Sequence, residues 1–431
     1  MLQIMSNSSI KILLLISLLI QLGNSWPFQL PTSYEFDLTL DETYFIHGLQ
    51  IGFPPQNIDK FEFDTGSSDT VIITSAYKPQ YSKTFQNTSK TFYGSYGSID
   101  QFSLYQGSDI ITSWNGLKLQ NQTLAITNIP QSLLGGYNGI LGMGYNTTQF
   151  IRPNYPNLLY SMKDQQKIER KLFSIDGQAD GGSVLFGGVY ADIYDGVLTK
   201  VDLLPRWKSK QYYMPYFTIN GMKLNDGTVV SSQTVAAIID TGADILALPD
   251  PILGNLFAGL NKSSSDYYYR SDSDIDLHMY YFAFDSIKDL SLKLDVQGYE
   301  LELPVVDFVK NYTTVNGKKY AGIISQSVGI DINVDEITLP AKLLTHYYSV
   351  WDYDNHHIYF AKYKQKKQWC KGNRAAKSGD QLPVSTTVVP DPSNTYSTGY
   401  LNSLETTISG ASSILNNPKT FPGNSQTTTT P

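Results

Sequence analysis

The chain reads as short apolar or alternating runs, each cut off by Gly, Asn, Asp or Pro. Such runs are Tyr44–Ile51, Lys60–Phe63, Val71–Thr74, Leu117–Ile126, Ser183–Phe186, Thr234–Ile239 and Ser349–Tyr363. Their length and their β-branched and aromatic content predict a mainly β protein from Tyr34 to about Lys364. Helical periodicity is sparse: Tyr155–Met162, Pro251–Leu260 and Pro340–His346 are the segments that carry it. Tyr190 to Leu204 reads as a crossover between two halves. A core this size exceeds what one domain usually holds, so two lobes are expected, residues 26–196 and 197–366.

The two ends of the sequence have a different texture. Lys11 precedes the apolar stretch Ile12 to Leu22, and Gly23 and Ser25 stand at −3 and −1 of a cut before Trp26. This pattern predicts a secretory signal over residues 1–25 and hence a secreted protein, extracellular or associated with the cell wall. The apolar core is too short to span a membrane. From Ala375 to Pro431 the chain is rich in Ser and Thr, with scattered Pro and little charge. Such a composition cannot build a core; residues 375–431 read as a disordered tail resembling an O-glycosylated stalk. Sequons at Asn87, Asn121, Asn146, Asn261 and Asn311 agree with secretion but are no more frequent than chance gives. The net charge of −7 argues against a nucleic-acid partner. The lone cysteine, Cys370, excludes an internal disulfide and has no histidine beside it to make it a nucleophile.

The chemistry is carried by a repeated triplet. Asp64-Thr65-Gly66 and Asp240-Thr241-Gly242 each follow an apolar run, at a spacing of one domain. One such triplet alone is an ordinary turn. Two at this spacing could bring a carboxyl from each half to a shared site, where like charges cannot both ionise. One protonated and one ionised carboxyl are the equipment for activating water against an amide. The histidines His346, His356 and His357 lack partners at metal-ligand spacing, and Asp354-Asn355-His356-His357 reads as a hairpin turn; no metal and no cofactor are expected.

With these triplets the chain resembles the pepsin-like aspartic proteases, in particular their secreted yeast branch of candidapepsins and yapsins. The resemblance extends from about residue 44 to 363. Ile51-Gly52-Phe53-Pro54-Pro55-Gln56 and Phe63-Asp64-Thr65-Gly66-Ser67-Ser68-Asp69 are similar to the family's opening strands and first active-site loop. Tyr96-Gly97-Ser98 resembles its flap, Asn138–Gly144 the element beneath the first Asp, Gly182–Val189 the end of the first lobe and Tyr348–Asp354 the last strands. The resemblance implies a bilobal fold with the active site in the cleft between two β-rich lobes. It implies a monomeric enzyme that cuts polypeptides with the catalytic pair Asp64 and Asp240. Thr65, Gly66, Ser67, Thr241, Gly242 and Ala243 would support the site, the two threonines by hydrogen bonds across the lobes. Tyr96, Gly97 and Ser98 would close over the peptide.

The pattern is broken at several positions. Ala243 stands where the family carries a hydroxyl, which predicts a raised apparent pKa for the pair and a less acidic optimum. Ile99 replaces a flap glycine and Val71 a supporting tryptophan, so a stiffer, less well anchored flap is expected. Pro340 replaces the second lobe's floor glycine and predicts a distorted floor beneath Asp240. The stretch between the cut and Asp64 leaves no room for a standard inhibitory prosegment. Two rival readings follow: a catalytically impaired homologue that binds extracellular peptides or wall polymers, and a wall mannoprotein whose stalk is the functional part.

Overall fold

The computed structural model describes residues 33–96, 99–178, 182–190, 192–205, 211–261, 267–272, 277–325, 336–364, 373–375, 382 and 419–420. Residues 1–25, expected to be a signal segment, and Cys370 lie outside the described residues. So does the tail, apart from Ala375, Leu382 and Lys419–Thr420. Asn373–Ala375 pairs antiparallel with Gly188–Tyr190, and Lys419–Thr420 lies parallel to Tyr267–Asp272.

Strands dominate, as the alternation of the sequence requires. A 15-stranded sheet runs through the molecule. At one end it joins the two halves of the chain: Thr199–Asp202, His357–Lys362 and Tyr347–Asp352 adjoin Leu172–Asp176, Gly182–Phe186 and Tyr34–Asp41. The sheet then continues into the first half through Thr43–Ile46, Phe61–Asp64, Gly139–Gly142 and Thr70–Ile73. The second half builds smaller sheets, among them Phe217–Ile219, Val235–Asp240 and Glu336–Pro340. The shared strands form the joint between the halves. Their inner faces carry Phe63, Phe173, Phe186 and Trp351, all fully buried, with Trp351 stacked on Phe173 at a centroid distance of 5.6 Å.

Some boundaries differ from the sequence reading. The run Tyr44–Ile51 is two strands, Thr43–Ile46 and Leu49–Ile51, because Gly48 takes a left-handed φ of 86° that ends the first. The helix expected from Tyr155 begins at Leu158, where Asn157 caps it by accepting from the Tyr160 amide. Pro340 ends a strand, and the residues after it form a 3₁₀ turn, Ala341–Thr345, in place of a helix. The helix expected over Pro251–Leu260 runs Asp250–Asn261, and His357 opens the last strand after a turn, as the hairpin reading requires.

One buried ion pair ties the joint together. The Arg170 guanidinium donates to Asp352, and both are almost without solvent contact. Asn355 adds two further donors, its amide and its Nδ2, to the same carboxylate. Removing one member leaves the other charged and unsolvated. Arg170→Met is expected to lower unfolding free energy by about 3–5 kcal/mol, read from urea melts. A loss below about 1 kcal/mol would mean that the pair is solvated as the protein breathes.

Candidate active site

Asp64 and Asp240 occupy matching positions in the two halves. Phe61–Asp64 runs parallel to Gly139–Gly142 and places Asp64 opposite Gly142. Val235–Asp240 runs parallel to Glu336–Pro340 and places Asp240 opposite Pro340. Each loop then turns back under its own carboxyl: the Gly66 amide donates to Asp64 Oδ1 at 2.7 Å, and the Gly242 amide to Asp240 Oδ1 at 2.8 Å.

The loops are locked to each other by the two threonines. The Thr65 amide donates to Thr241 Oγ1 (2.9 Å) and the Thr241 amide to Thr65 Oγ1 (3.0 Å). Thr65 Oγ1 donates to the Ile239 carbonyl and Thr241 Oγ1 to the Phe63 carbonyl, so each hydroxyl bridges amide and carbonyl of the opposite strand. Both threonines are fully buried. The glycines that follow are required by how closely the loops approach. A Cβ on Gly66 would lie 2.3 Å from the Asp240 carboxyl carbon, and one on Gly242 would lie 2.9 Å from Asp64 Oδ1.

The resulting pair is in mutual contact, with Asp64 buried and Asp240 partly so. Burial raises the Asp64 carboxyl above the usual carboxylate range, but the Ser67 hydroxyl, Asp240 and the Gly66 and Ser67 amides pull it back. Asp240 is raised further, first by burial and then by the charge of Asp64, with backbone amides alone to oppose it. Ala243 offers no hydroxyl where Ser67 offers one. The Ser67 hydroxyl therefore favours charge on Asp64 over Asp240, within a pair that titrates as a unit.

The floor beneath Asp240 is not distorted by Pro340. The strand keeps its parallel register through the proline, the Ala341 amide reaches the Ala243 carbonyl at 2.9 Å, and Ala247 and Thr338 exchange both amide bonds at 3.0 Å. Proline is tolerated because the second loop asks no amide of that position.

Tyr96, expected in a flap, is held by aromatic neighbours. Tyr96 ends the strand Gln86–Tyr96 and pairs with Ile99. Its ring stacks on Phe102 at 6.0 Å and meets the edge of Phe150 at 5.4 Å. Its hydroxyl is buried near Ser67 without a hydrogen bond of normal geometry. Gly97 and Ser98 lie outside the described residues. Phe102 and Phe150 were not singled out from the sequence, since nothing local links residue 150 to residue 96.

A third carboxyl was also missed. Glu62 stands two residues before Asp64, on the same face of the strand, and is 4% exposed. Its signal in the sequence is an acid inside an apolar run. Burial, then the charge of Asp64, push its pKa up to about 9. Outside it, Lys310 bridges the halves by contacting Asp244 and lying 3.6 Å from Glu42. The histidines are placed elsewhere: His346 pairs with Asp307, His357 with Asp202, and His356 lies against Tyr145 and Tyr212.

The shifts of the buried acids share one sign. Glu62, Asp64 and Asp240 are raised, and burial lifts Asp69 to about 6. The folded chain thus keeps protons that the unfolded chain releases above about pH 4. Their contribution is intact below that point and is lost as pH climbs towards 9. Thermal melts are expected to show Tm falling by several degrees or more from about pH 4.5 to pH 8, and Glu62→Gln should flatten the fall. A Tm that rises across this window would contradict the assignment.

Comparison with known proteins agrees with this geometry. The family model described as eukaryotic aspartyl protease matches residues 43–363. Syncephapepsin of Syncephalastrum racemosum is 30% identical over 229 residues, 49% of this chain and 54% of its own length. Gastricsin of Macaca fuscata fuscata is 26% identical, covering 77% of this chain and 87% of its own. Yapsin-3 of Saccharomyces cerevisiae is 26% identical over 77% of this chain and 68% of its own. The match thus spans about half of one relative and most of another. Among solved structures, the aspartic proteinase from Irpex lacteus superposes with a TM-score of 0.63 at 19% identity, over 77% of this chain and 98% of that one. No helix among the described residues is long and apolar enough to cross a membrane. By family, fold and paired loops, the chain belongs to the eukaryotic aspartyl proteases, hydrolases of the aspartic endopeptidase type.

Proposed function

We propose that this protein is a secreted endopeptidase in which Asp64 and Asp240 activate a water molecule against a peptide bond. The observation that carries this reading is the reciprocal threonine lattice, which holds the two carboxyls in contact. Ionised Asp64 acts as general base on the water, and the proton on Asp240 polarises the substrate carbonyl. As the water oxygen bonds to the carbonyl carbon, its proton passes to Asp64. Collapse of the tetrahedral intermediate breaks the C–N bond as a carboxyl proton moves to the leaving nitrogen. The pair returns to one shared proton. Tyr96, held between Phe102 and Phe150, covers the peptide and keeps water from the reacting atoms.

The feature that most favoured an impaired, peptide-binding homologue was Pro340, and the intact donors around Asp240 remove that ground. The signal segment supports an extracellular or wall location, and the family supports polypeptide substrates.

Asp64→Asn and Asp240→Asn are each expected to cut peptide hydrolysis by roughly a thousandfold or more while leaving Tm within a few degrees of the parent. Cleavage of a mixed peptide pool from about pH 3 to pH 7 reads this directly; activity surviving in both variants would refute the dyad. Ala243→Ser tests the asymmetry. An added hydroxyl would stabilise charge on Asp240, lower the pair's apparent pKa and move the pH optimum towards acid. An optimum that moves the other way would overturn that account.

A further inference from the structure

The sheet that joins the two halves is buried on both faces, and the catalytic loops need only one of them. Side chains alternate between faces along each strand. In Tyr347–Asp352, Trp351 enters the large core that holds Phe63 and Ile239, the residues before the two aspartates. Tyr348 and Val350 point the other way, into a separate cluster. The neighbouring strands divide at the same places. Phe173 and Phe186 lie with Trp351, whereas Leu172 and Leu185 lie with Tyr348. In His357–Lys362, Ile358 and Phe360 are inside and Tyr359 and Ala361 outside. An antiparallel sheet with water on one side carries polar residues there. This outer face carries leucine, valine and tyrosine instead, and Tyr348 is fully buried. Something covers it.

Part of the cover is the connection between the halves. Tyr194 stacks on Tyr348 at 5.2 Å, and the Tyr190 amide donates to the Tyr348 hydroxyl at 2.9 Å. The rest comes from beyond Lys364, from residues whose composition reads largely as a tail that builds no core. Asn373–Ala375 pairs antiparallel with Gly188–Tyr190, setting Ala375 opposite Gly188 and Asn373 opposite Tyr190. Among the described residues these two strands are a sheet of their own. Leu382 is 5% exposed and belongs to the cluster of Leu172, Leu185, Tyr348 and Tyr359. Local sequence gives a leucine flanked by Gln381 and Pro383 no reason to be buried; an apolar site on the body does.

We infer that the outer face of the joint is a docking surface for this chain's own C-terminal segment. Backbone pairing holds that segment at Asn373–Ala375, and apolar burial holds it at Leu382. The occupant is the same chain because Lys364 leaves the sheet beside this surface, its amide bonded to the Ile193 carbonyl at 3.2 Å. The folded body thus extends past residue 366 to Leu382. The cluster takes Leu172 and Leu185 from the first half and Tyr348 and Tyr359 from the second. The docked segment therefore seals the seam between the halves, on the face of the sheet turned away from Phe63 and Ile239.

The test uses the full chain and compares Leu382→Asp with Leu401→Asp, a leucine of the same tail. Leu382→Asp should lower Tm by about 4 °C or more. It should also speed hydrogen exchange at the Gly188–Tyr190 amides by roughly tenfold. Leu382→Ala should move both readouts the same way by less, and Leu401→Asp should move neither. A synthetic peptide of residues 371–386, added in excess to the Leu382→Asp chain, should restore slow exchange at Gly188–Tyr190. The same peptide carrying Leu382→Asp should not. Tm and exchange unchanged by Leu382→Asp would overturn the inference. Equal losses from Leu401→Asp would also overturn it, since the effect would then belong to tail composition. Sedimentation of the parent as a dimer that Leu382→Asp dissociates would put the segment on a second copy and overturn the assignment to the same chain.

Discussion

The cleft depends on one contact, the exchange of hydrogen bonds between Thr65 and Thr241 across 176 residues of chain. Two carboxyls in a dry site repel when both are charged and cost much desolvation when either is. A shared proton joins them only while the pair is singly charged. The threonines supply the opposing attraction. Each hydroxyl accepts from one amide and donates to one carbonyl of the other loop, leaving no buried donor or acceptor of the crossing unsatisfied. A bond of this kind is worth about 1 kcal/mol net. The geometry matters more than the sum: a serine could rotate away, whereas the β-branched threonine is held at χ1 by its strand.

From that crossing the remaining constraints follow in order. Because the loops meet at threonine, the next residues pass within contact of the opposite carboxyl, and only glycine has room. Because the glycines turn their amides inward, each Asp receives a donor from its own loop. Because Ser67 has a hydroxyl and Ala243 has none, the two carboxyls differ, and the single proton has a preferred home. The same burial that separates their roles makes the protein suited to acid. Its unused buried acids, Glu62 and Asp69, push stability in that direction as well.

Much of this was legible in the sequence. The paired triplets, the apolar strands before them and the lack of helical periodicity are local patterns, and local patterns survive the projection of a fold onto a line. Asp64, Asp240, Thr65 and Thr241 could be placed because a spaced repeat states that two copies meet. What was hidden depends on long-range packing. Phe150 supports Tyr96 through an edge-on contact between residues 54 positions apart, with no periodicity to betray it. Glu62 was visible as an acid in an apolar run, yet its exposure depends on Thr43–Ile46 and Gly139–Gly142 closing over it. Pro340 misled for the opposite reason. Its chemistry was read correctly, but whether a missing amide matters depends on whether the loop opposite asks for one.

That last point separates the two halves of the site. In the first, Gly142 donates to the Asp69 carbonyl, and a Cβ there would lie 2.5 Å from the Ser68 amide nitrogen, so both the amide and the empty space are used. The Asp64 loop is thereby pressed against its floor and furnished with a hydroxyl: it is the half built to hold a charge. In the second half the floor position needs neither, and the amide after the proline takes up the Ala243 carbonyl instead. The Asp240 carboxyl is met by fewer donors than Asp64. Ala243 withholds a hydroxyl from Asp240, whereas Pro340 withholds an amide that, at Gly142, goes to a backbone carbonyl and not to a carboxyl. Fewer donors around Asp240 favour its neutral form.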